Sequence, residues 1–286
     1  MVEFEVPEID YDRYSNRQLA AVPLAVLALA LAVLVGSWLM TGSPVVLGID
    51  FTGGSEVTVQ TPMSQSEVRN AFETTPAAVQ AINSPPDAYV VTFDTGNITA
   101  LTTQAENAGM TVIGSGTTPA SFGERSQQLA LGGIVVAFVG MSVLAFVLFR
   151  TFVPSIAIVI SAFSDIVIPL AVLSLFRVKL SLGTVAALLM LIGYSVDSDI
   201  LLNNHILRRR GEFYESTYAA MQTGVSMTIT SMTAMAVMAM MATFFNIDLM
   251  AQIGSVLVVG LAADLMNTYM LNLSLLRWYK FEGVRR

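Results

Sequence analysis

Long apolar runs separated by short polar joints dominate the chain. Near-continuous hydrophobic stretches cover Leu19–Met40, Leu129–Phe149, Val153–Phe176 and Leu180–Leu202, followed by Ala219–Phe245 and Leu249–Leu276. Each is roughly 20 residues or longer, the length a helix needs to cross a hydrocarbon core of ~30 Å. The pattern predicts a polytopic α-helical membrane protein with six transmembrane helices. The first run is too long for the apolar part of a signal peptide, and its leader, MVEFEVPEIDYDRYSNRQ, is acidic as well as basic. It reads as a retained first helix.

Between the first and second helices the patterning changes. Residues 41–125 form one large segment, while the other connections are short. Within it, VTVQT and AYVVTF cluster or alternate β-branched and aromatic residues as strands do, and GMTVIGSG reads as a short strand bounded by glycines. SQSEVRNAFETT places Ser64 and Glu67 at capping-box spacing ahead of a helical period. A small α+β domain is expected there. The chain thus divides into a cytoplasmic segment at 1–18, a first helix at 19–40, an extracytoplasmic α+β domain at 41–125, helices two to six within 126–276, and a cytoplasmic tail at 277–286.

Composition agrees with the pattern. Of 286 residues, 54% are hydrophobic and only 12% are charged, against about 25% charged in a soluble domain. Even numbers of spans put both termini on one side. That side collects Arg13, Arg17, Arg150, Arg208, Arg209, Arg210, Arg277, Lys280, Arg285 and Arg286, leaving Arg69, Arg125, Arg177 and Lys179 opposite. Excess Lys and Arg marks the cytoplasmic side. A net charge of −7 leaves no basic patch for nucleic acid. With no cysteine and one histidine, thiol chemistry, disulfides and thiolate or His-based zinc sites drop out. A Walker-type phosphate loop is missing from the sequence, so no ATP use, no cofactor and no enzymatic activity are expected.

Acids inside the apolar runs carry the candidate chemistry: Asp165 in the third helix, Asp197 and Asp199 in the fourth, and Asp264 in the sixth, with no Lys or Arg at comparable depth. Intramembrane ionisable residues face a bundle interior or a wet cavity and mark ion or proton pathways by default. The alternative is that protonated acids only join helices by hydrogen bonds. Pro169, four residues after Asp165, lacks the amide that would bond the Asp165 carbonyl; a hydrated or polar kink is expected, with Ser161 one turn earlier on the same face. Residues 197 and 199 are roughly 200° apart around a helix of 3.6 residues per turn. Asp197 shares a line with Gly193, Leu201 and Asn204, and Asp199 one with Ser195 and Asn203. Asp197 is the preferred functional acid, with Asp199 as its support or entry route and His205 as an interfacial residue or proton acceptor. Asp264 lies one turn from Gly260 and from Thr268, whose hydroxyl can bridge helices. In the fifth helix, Thr228–Thr233 supplies hydroxyls, and the methionines from Met232 to Met241 read as adaptable packing, copper relay being the alternative. Asn97 opens an N-glycosylation pattern, NIT, chance occurrence being the alternative; NLS at Asn272 lies inside the last helix and is discounted.

These residues carry a resemblance. GIDFTGG (Gly48, Asp50, Gly53 and Gly54 among them) follows the first helix, and IGYSVDSDILLNNHILRRR, with Tyr194, is similar to the fourth-helix signature of Sec members of the resistance–nodulation–division (RND) superfamily. SDIVIPLAVLSLF resembles the third-helix segment that holds an aspartate in that family. The chain thus resembles the SecF family, membrane subunits of the SecDF protein-export complex, over nearly its whole length. VDSD resembles the archaeal form, and the acidic outer domain fits a halophile. Bacterial members have Asn then Asp after GYSI; here Asp197 comes first and Ser198 second, as in SecD-type sequences. The resemblance implies an RND half-transporter fold, a SecD partner, work at a SecYEG-type translocon on unfolded polypeptide, lipid surroundings in the plasma membrane, and use of the proton or another ion gradient. Gly48, Gly53 and Gly54 can serve as a hinge between membrane and outer domain, or as a plain turn after a strand. An assembly subunit, and a half-size exporter of small molecules or lipids, are the competing functions.

Overall fold

A computed structural model describes residues 10–82, 85–94, 97–208, 212–245 and 247–283. Arg209, Arg210, Arg285 and Arg286 therefore lie outside the described residues. The first membrane helix, α1 (Asn16–Thr41), starts at a capping box: the Ser15 hydroxyl accepts from the Gln18 amide and the Gln18 side chain accepts from the Ser15 amide. It stops at Gly42, whose φ of +78° suits a residue without Cβ. After a short helical turn α2 (Ile49–Thr52), the chain builds the small domain and then returns as α5 (Ala120–Phe149), α6 (Phe152–Leu175), α7 (Leu182–Arg208), α8 (Phe213–Phe244) and α9 (Asp248–Met266). The last span continues through a π-helical stretch, Asn267–Asn272, into α10 (Leu273–Trp278). Six helical spans, α1, α5, α6, α7, α8 and α9 with its continuation, are long and apolar enough to cross a membrane.

Burial separates the helices by role. α6 and α7 are the most enclosed spans, and α5 and α8 the least. Apolar side chains such as Val135, Val139, Val143 and Val147 on α5 point outward, as hydrocarbon permits. The main core joins α5, α6, α7 and α9 through Met141, Ala145, Ile158, Leu188, Leu191 and Leu257. Near the chain termini a second cluster ties Tyr11 and Leu19 to Phe213, Tyr269 and Leu276. There Arg277 donates to the carbonyls of Tyr11 and Tyr14, at 3.0 and 2.9 Å.

The α+β domain has four antiparallel strands in the order β2-β3-β1-β4: β1 (Gly54–Gln60), β2 (Ala78–Ile82), β3 (Ala88–Phe93) and β4 (Thr111–Thr118). Alternation along β1 buries Val57 and Val59 and turns Glu56, Thr58 and Gln60 the other way. Val57 pairs with Val91 and Ser55 with Phe93. Two helices, α3 (Gln65–Asn70) and α4 (Ile98–Asn107), cover the apolar face with Val68, Leu101 and Ala105. The expected capping box is formed: Ser64 Oγ accepts from the Glu67 amide, and Glu67 Oε2 accepts from the Ser64 amide at 2.7 Å. β2 and α4 were not legible as elements, and α5 begins at Ala120 rather than Leu129.

GIDFTGG is not a strand followed by a turn. It is a helical turn that precedes β1, with Gly53 at φ +72° and Gly54 at φ +124°. A Cβ on Gly53 would lie 2.7 Å from Ala120 Cα, and one on Gly54 would run into the Phe93 carbonyl. Gly48 donates to the Leu180 carbonyl at 2.8 Å, and the Asp50 carboxylate accepts from the Leu182 amide at 3.0 Å. The motif therefore ties the small domain to the α6–α7 joint and to the start of α5.

Candidate functional site

α7 begins where Ser181 and Thr184 exchange bonds, the Ser181 amide donating to Thr184 Oγ1 at 2.8 Å. From there its turns bury one stripe, Ser195, Asp199 and Asn203, and expose another, Ala186, Met190, Gly193, Asp197 and Asn204. The two acids of DSD therefore face opposite ways, as helical geometry requires. Asp199 turns into the bundle; Asp197 turns out of it.

Inside the bundle three acids from three helices converge. Asp165 on α6 accepts from Ser195 Oγ at 2.6 Å and from the side-chain Nδ2 of Asn267. Asp199 on α7 accepts from Thr268 Oγ1 and from Asn272 Nδ2, both at 2.8 Å and both at Oδ1. Asp264 on α9 accepts from Ser198 Oγ, 2.8 and 2.9 Å from its two oxygens, and lies 3.2 Å from Thr268 Oγ1. All three carboxylates are at most 1% exposed. Each bond but the last crosses between helices, so the acids and their donors also lock the bundle.

The π-helical stretch explains how one helix serves two acids. Asn267 and Asn272 are five residues apart, which on an ordinary α-helix would turn them about 140° from each other. The wider i→i+5 turn brings both toward the cluster, Asn267 to Asp165 and Asn272 to Asp199. Thr268 sits between them and reaches two carboxylates with one hydroxyl proton, which can be donated to only one at a time.

Among the described residues no Lys, Arg or His bonds to these acids. Several polar atoms here are buried without a hydrogen-bond partner among the described residues: Asp199 Oδ2, Ser161 Oγ, Ser164 Oγ, Asn203 Oδ1 and Asn267 Oδ1. Ser161 lies beside Asp199 but makes no bond of ordinary geometry to it. A carboxylate triad without a cation, and with spare acceptor oxygens, is chemically suited to taking up positive charge, as protons or as a small cation.

The sequence-derived candidates divide as follows. Asp165, Asp199 and Asp264 meet, with Thr268 as a bridge. The preference for Asp197 over Asp199 is reversed geometrically: Asp197 and Tyr194 are exposed on the outer stripe of α7 and do not reach the triad. Ser161 belongs with Asp199 rather than with Asp165. α6 continues through Pro169, which is buried within it, and the Asp165 carboxylate is bonded to polar partners. His205 is buried and its Nδ1 lies 2.9 Å from the Leu201 carbonyl of its own helix. Gly48, Asp50, Gly53 and Gly54 stand apart from the triad, at the domain junction. Asn97 caps α4 through its side chain. Sequence reasoning missed Ser198, Asn267 and Asn272 as donors. Polar residues recurring through DLMNTYMLNLS in an otherwise apolar helix were the signal.

Comparisons with known proteins follow the same outline. The family model "Protein export membrane protein SecD/SecF, C-terminal" matches residues 97–282, and "SecD/SecF GG Motif" matches residues 38–61. A protein-export membrane protein SecF of Haloferax volcanii is 64% identical over all of both chains. One from Haloquadratum walsbyi is 60% identical, again over both full lengths, and one from Pyrococcus furiosus is 38% identical over 93% of each. In structure, the chain resembles SecDF, a translocon-associated membrane protein from Thermus thermophilus, with a TM-score of 0.75 at 20% identity. The likeness covers 97% of this chain, which spans 39% of that one. With six membrane-spanning helices, the inserted α+β domain and both family models matched, this chain belongs to the SecD/SecF family of protein-export membrane proteins.

Proposed function

We propose that this chain is a non-enzymatic auxiliary subunit of protein export that works with a SecD partner and draws on an ion gradient through its buried carboxylates. The observation that carries the reading is the convergence of Asp165, Asp199 and Asp264 from three helices at full burial. Acids that only joined helices would need no spare acceptors. Here Asp199 Oδ2 and Asn267 Oδ1 are unpartnered among the described residues, which supports a site that gains and loses positive charge. Exchange at the triad would reallocate the single protons of Thr268 and Ser198 among the carboxylates. Those bonds hold α6, α7 and α9 together, so charge uptake would shift the helices and, through the Gly48–Leu180 and Asp50–Leu182 ties, the outer domain. Excess Lys and Arg on the side of the termini supports a cytoplasmic N- and C-terminus, an extracytoplasmic α+β domain, and a plasma-membrane location.

Asp197 supports the partner. An acid facing lipid near mid-helix costs roughly 2.5–3.5 kcal/mol on insertion scales. The stripe of Met190, Gly193, Tyr194, Asp197 and Asn204 is exposed in this chain, and a SecD subunit supplying a polar or basic side chain would cover it. The translocon and the emerging unfolded polypeptide are then reached through the assembled complex.

The test is export of a precursor into energised membrane vesicles from strains carrying Asp165→Asn, Asp199→Asn or Asp264→Asn. Intact assembly with SecD, together with loss of the gradient-dependent part of export, is expected. Lost assembly with export per assembled complex unchanged would favour a purely structural role and defeat the ion-coupled reading.

A further inference from the structure

We infer that the groove between α1 and α8 holds one chain of an anionic phospholipid, with its headgroup on Arg17. The inference stands apart from the ion-coupled reading. α1 packs against α6 and the last span, and α8 against α7 and α9, so a gap between α1 and α8 opens sideways. Gln18 and Val22 stand on one bank, Met221 and Ile229 on the other, and Leu265 and Tyr269 in the floor. The groove has a volume of about 920 Å³, within the roughly 300–1,000 Å³ of small-ligand sites.

Depth and polarity name the occupant. On α8 the groove reaches from Met221 to Ile229, about 12 Å at 1.5 Å per residue. That is less than one leaflet of a ~30 Å hydrocarbon core. A partner helix crosses both leaflets and would need a seat about twice as long. The polar members lie toward the end of the bundle that holds the chain termini. Gln18 precedes Val22 on α1, and Tyr269 follows Leu265 on a span that runs the other way. Tyr11, at the same end, is buried and gives its hydroxyl to Met221 Sδ at 3.4 Å. Tyrosines and a glutamine at the rim, with aliphatic walls deeper in, match an amphiphile that enters from one face of the bilayer.

Charge selects the headgroup. Arg17 lies beside Gln18 and one turn from Ala21, which also lines the groove. Side chains on a helix lean toward its N-terminus, so Arg17 reaches back toward the membrane surface. It is exposed and has no ion pair among the described residues. Arg13 takes Asp10 at 2.8 Å, and Glu282, across a neighbouring hollow, does not bond Arg17. Arg277 is held by the Tyr11 and Tyr14 carbonyls. The first turn of α1 carries no acidic residue, and the positive end of its dipole adds to the attraction for a phosphate. The floor gives the site a consequence. Tyr269 belongs to the π-helical stretch whose Asn267 and Thr268 bond the acids, and a chain lying on it restrains that stretch.

The test is native mass spectrometry of the chain purified with SecD, titrated with phosphatidylglycerol and with phosphatidylcholine of the same acyl chains. The first phosphatidylglycerol is expected to bind about fivefold tighter than the first phosphatidylcholine, the effect of one arginine at a charged membrane surface. Arg17→Gln should erase that preference. Ala21→Trp and Val22→Trp fill the groove from exposed positions that line it. Each should weaken both lipids by at least about tenfold, the effect of two methylenes left unburied. Ala21→Ser, which keeps the groove open, and Val139→Trp on the exposed face of α5 should bind as the wild type does. Unfolding of each complex in detergent alone separates a filled groove from a misfolded chain, and the two fillers and the arginine variant are read independently. Wild-type binding by the tryptophan variants, or equal affinity of the wild type for the two lipids, overturns the inference. Lipid that binds the chain alone and is lost on joining SecD, as a seat for a partner helix would give, overturns it as well.

Discussion

Replacing Asp199 by Asn and by Ala separates its charge from its bonds. Both donors to Asp199, Thr268 Oγ1 and Asn272 Nδ2, reach Oδ1 at 2.8 Å, while Oδ2 has no partner among the described residues. An asparagine keeps a carbonyl oxygen for both donors and places its amide beside Ser161, which can accept from it. Asp199→Asn therefore weakens two charge-assisted bonds to neutral ones and removes the cost of a buried carboxylate. These effects oppose each other, and the net change in stability should stay within about 1 kcal/mol. Asp199→Ala leaves Asn272 Nδ2 without that acceptor, at about 1–3 kcal/mol by general mutational experience, and leaves the Thr268 hydroxyl only Asp264, 3.2 Å away. Interhelical hydrogen bonds in membrane proteins average nearer 0.6 kcal/mol, so the loss is roughly 1–3 kcal/mol. The assay is thermal unfolding of the detergent-solubilised complex beside gradient-dependent export in vesicles. Asp199→Asn should unfold like the wild type and lose the gradient-dependent part of export; Asp199→Ala should lose both. If Asp199→Asn exports normally with the gradient, or unfolds as early as Asp199→Ala, the reasoning fails.

Three further outcomes follow from the α+β domain. Gly54→Ala should destabilise that domain by at least about 1–3 kcal/mol, because φ is +124° and the new Cβ would meet the Phe93 carbonyl; Gly116→Ala, with open space around it, is the control, and limited proteolysis reads the difference. The Ser64 amide and hydroxyl hold the Glu67 carboxyl below the ordinary carboxylate range. Its support of the α3 cap is therefore complete above that range and is lost as the pH falls through the lowered value, which faster amide exchange at Ser64 in acid would report. Lys179 donates to Thr92 Oγ1 at 3.0 Å and lies 3.8 Å from Glu56 Oε1 at a partly exposed site, so Lys179→Met should cost no more than about 0.2–1 kcal/mol in thermal unfolding.

Much of this architecture is written in runs long enough to see. Six apolar stretches became six spans because hydrocarbon leaves a chain few alternatives to the helix. Strands β1, β3 and β4 showed their alternation, and the Ser64–Glu67 box gave α3. β2 was hidden because AVQAI is only five residues long and two of them are alanine, a weak strand former, and α4 because ITALTTQAEN is rich in threonine, a poor helix former rescued by the Asn97 cap. Acids on three helices announced a shared site. What a helical wheel cannot tell is which of two opposite faces points inward. Asp197 shares its line with Gly193, Leu201 and Asn204, yet the donors Ser195 and Ser198, with Asn267, Thr268 and Asn272 opposite, draw the Asp199 side inward. The π-helical turn at Asn267–Asn272 had no signal beyond the polar residues it re-aims.

α7 emerges as the element on which the two faces depend. One face, through Ser195, Ser198 and Asp199, takes part in every leg of the triad; the opposite face presents Asp197 outward from the chain. A buried helix is stiff, so its two faces cannot move independently. On the proposed reading, charge taken up at Asp199 would relax bonds to the π-helical stretch and change how firmly α7 is held against α9. The same displacement would move Asp197, and would move the start of α7, where Asp50 caps Leu182. The GG motif supplies that cap. A change of charge in the triad would thus have a short rigid path both to the exposed face of α7 and to the α+β domain, with no need for motion within the domain itself.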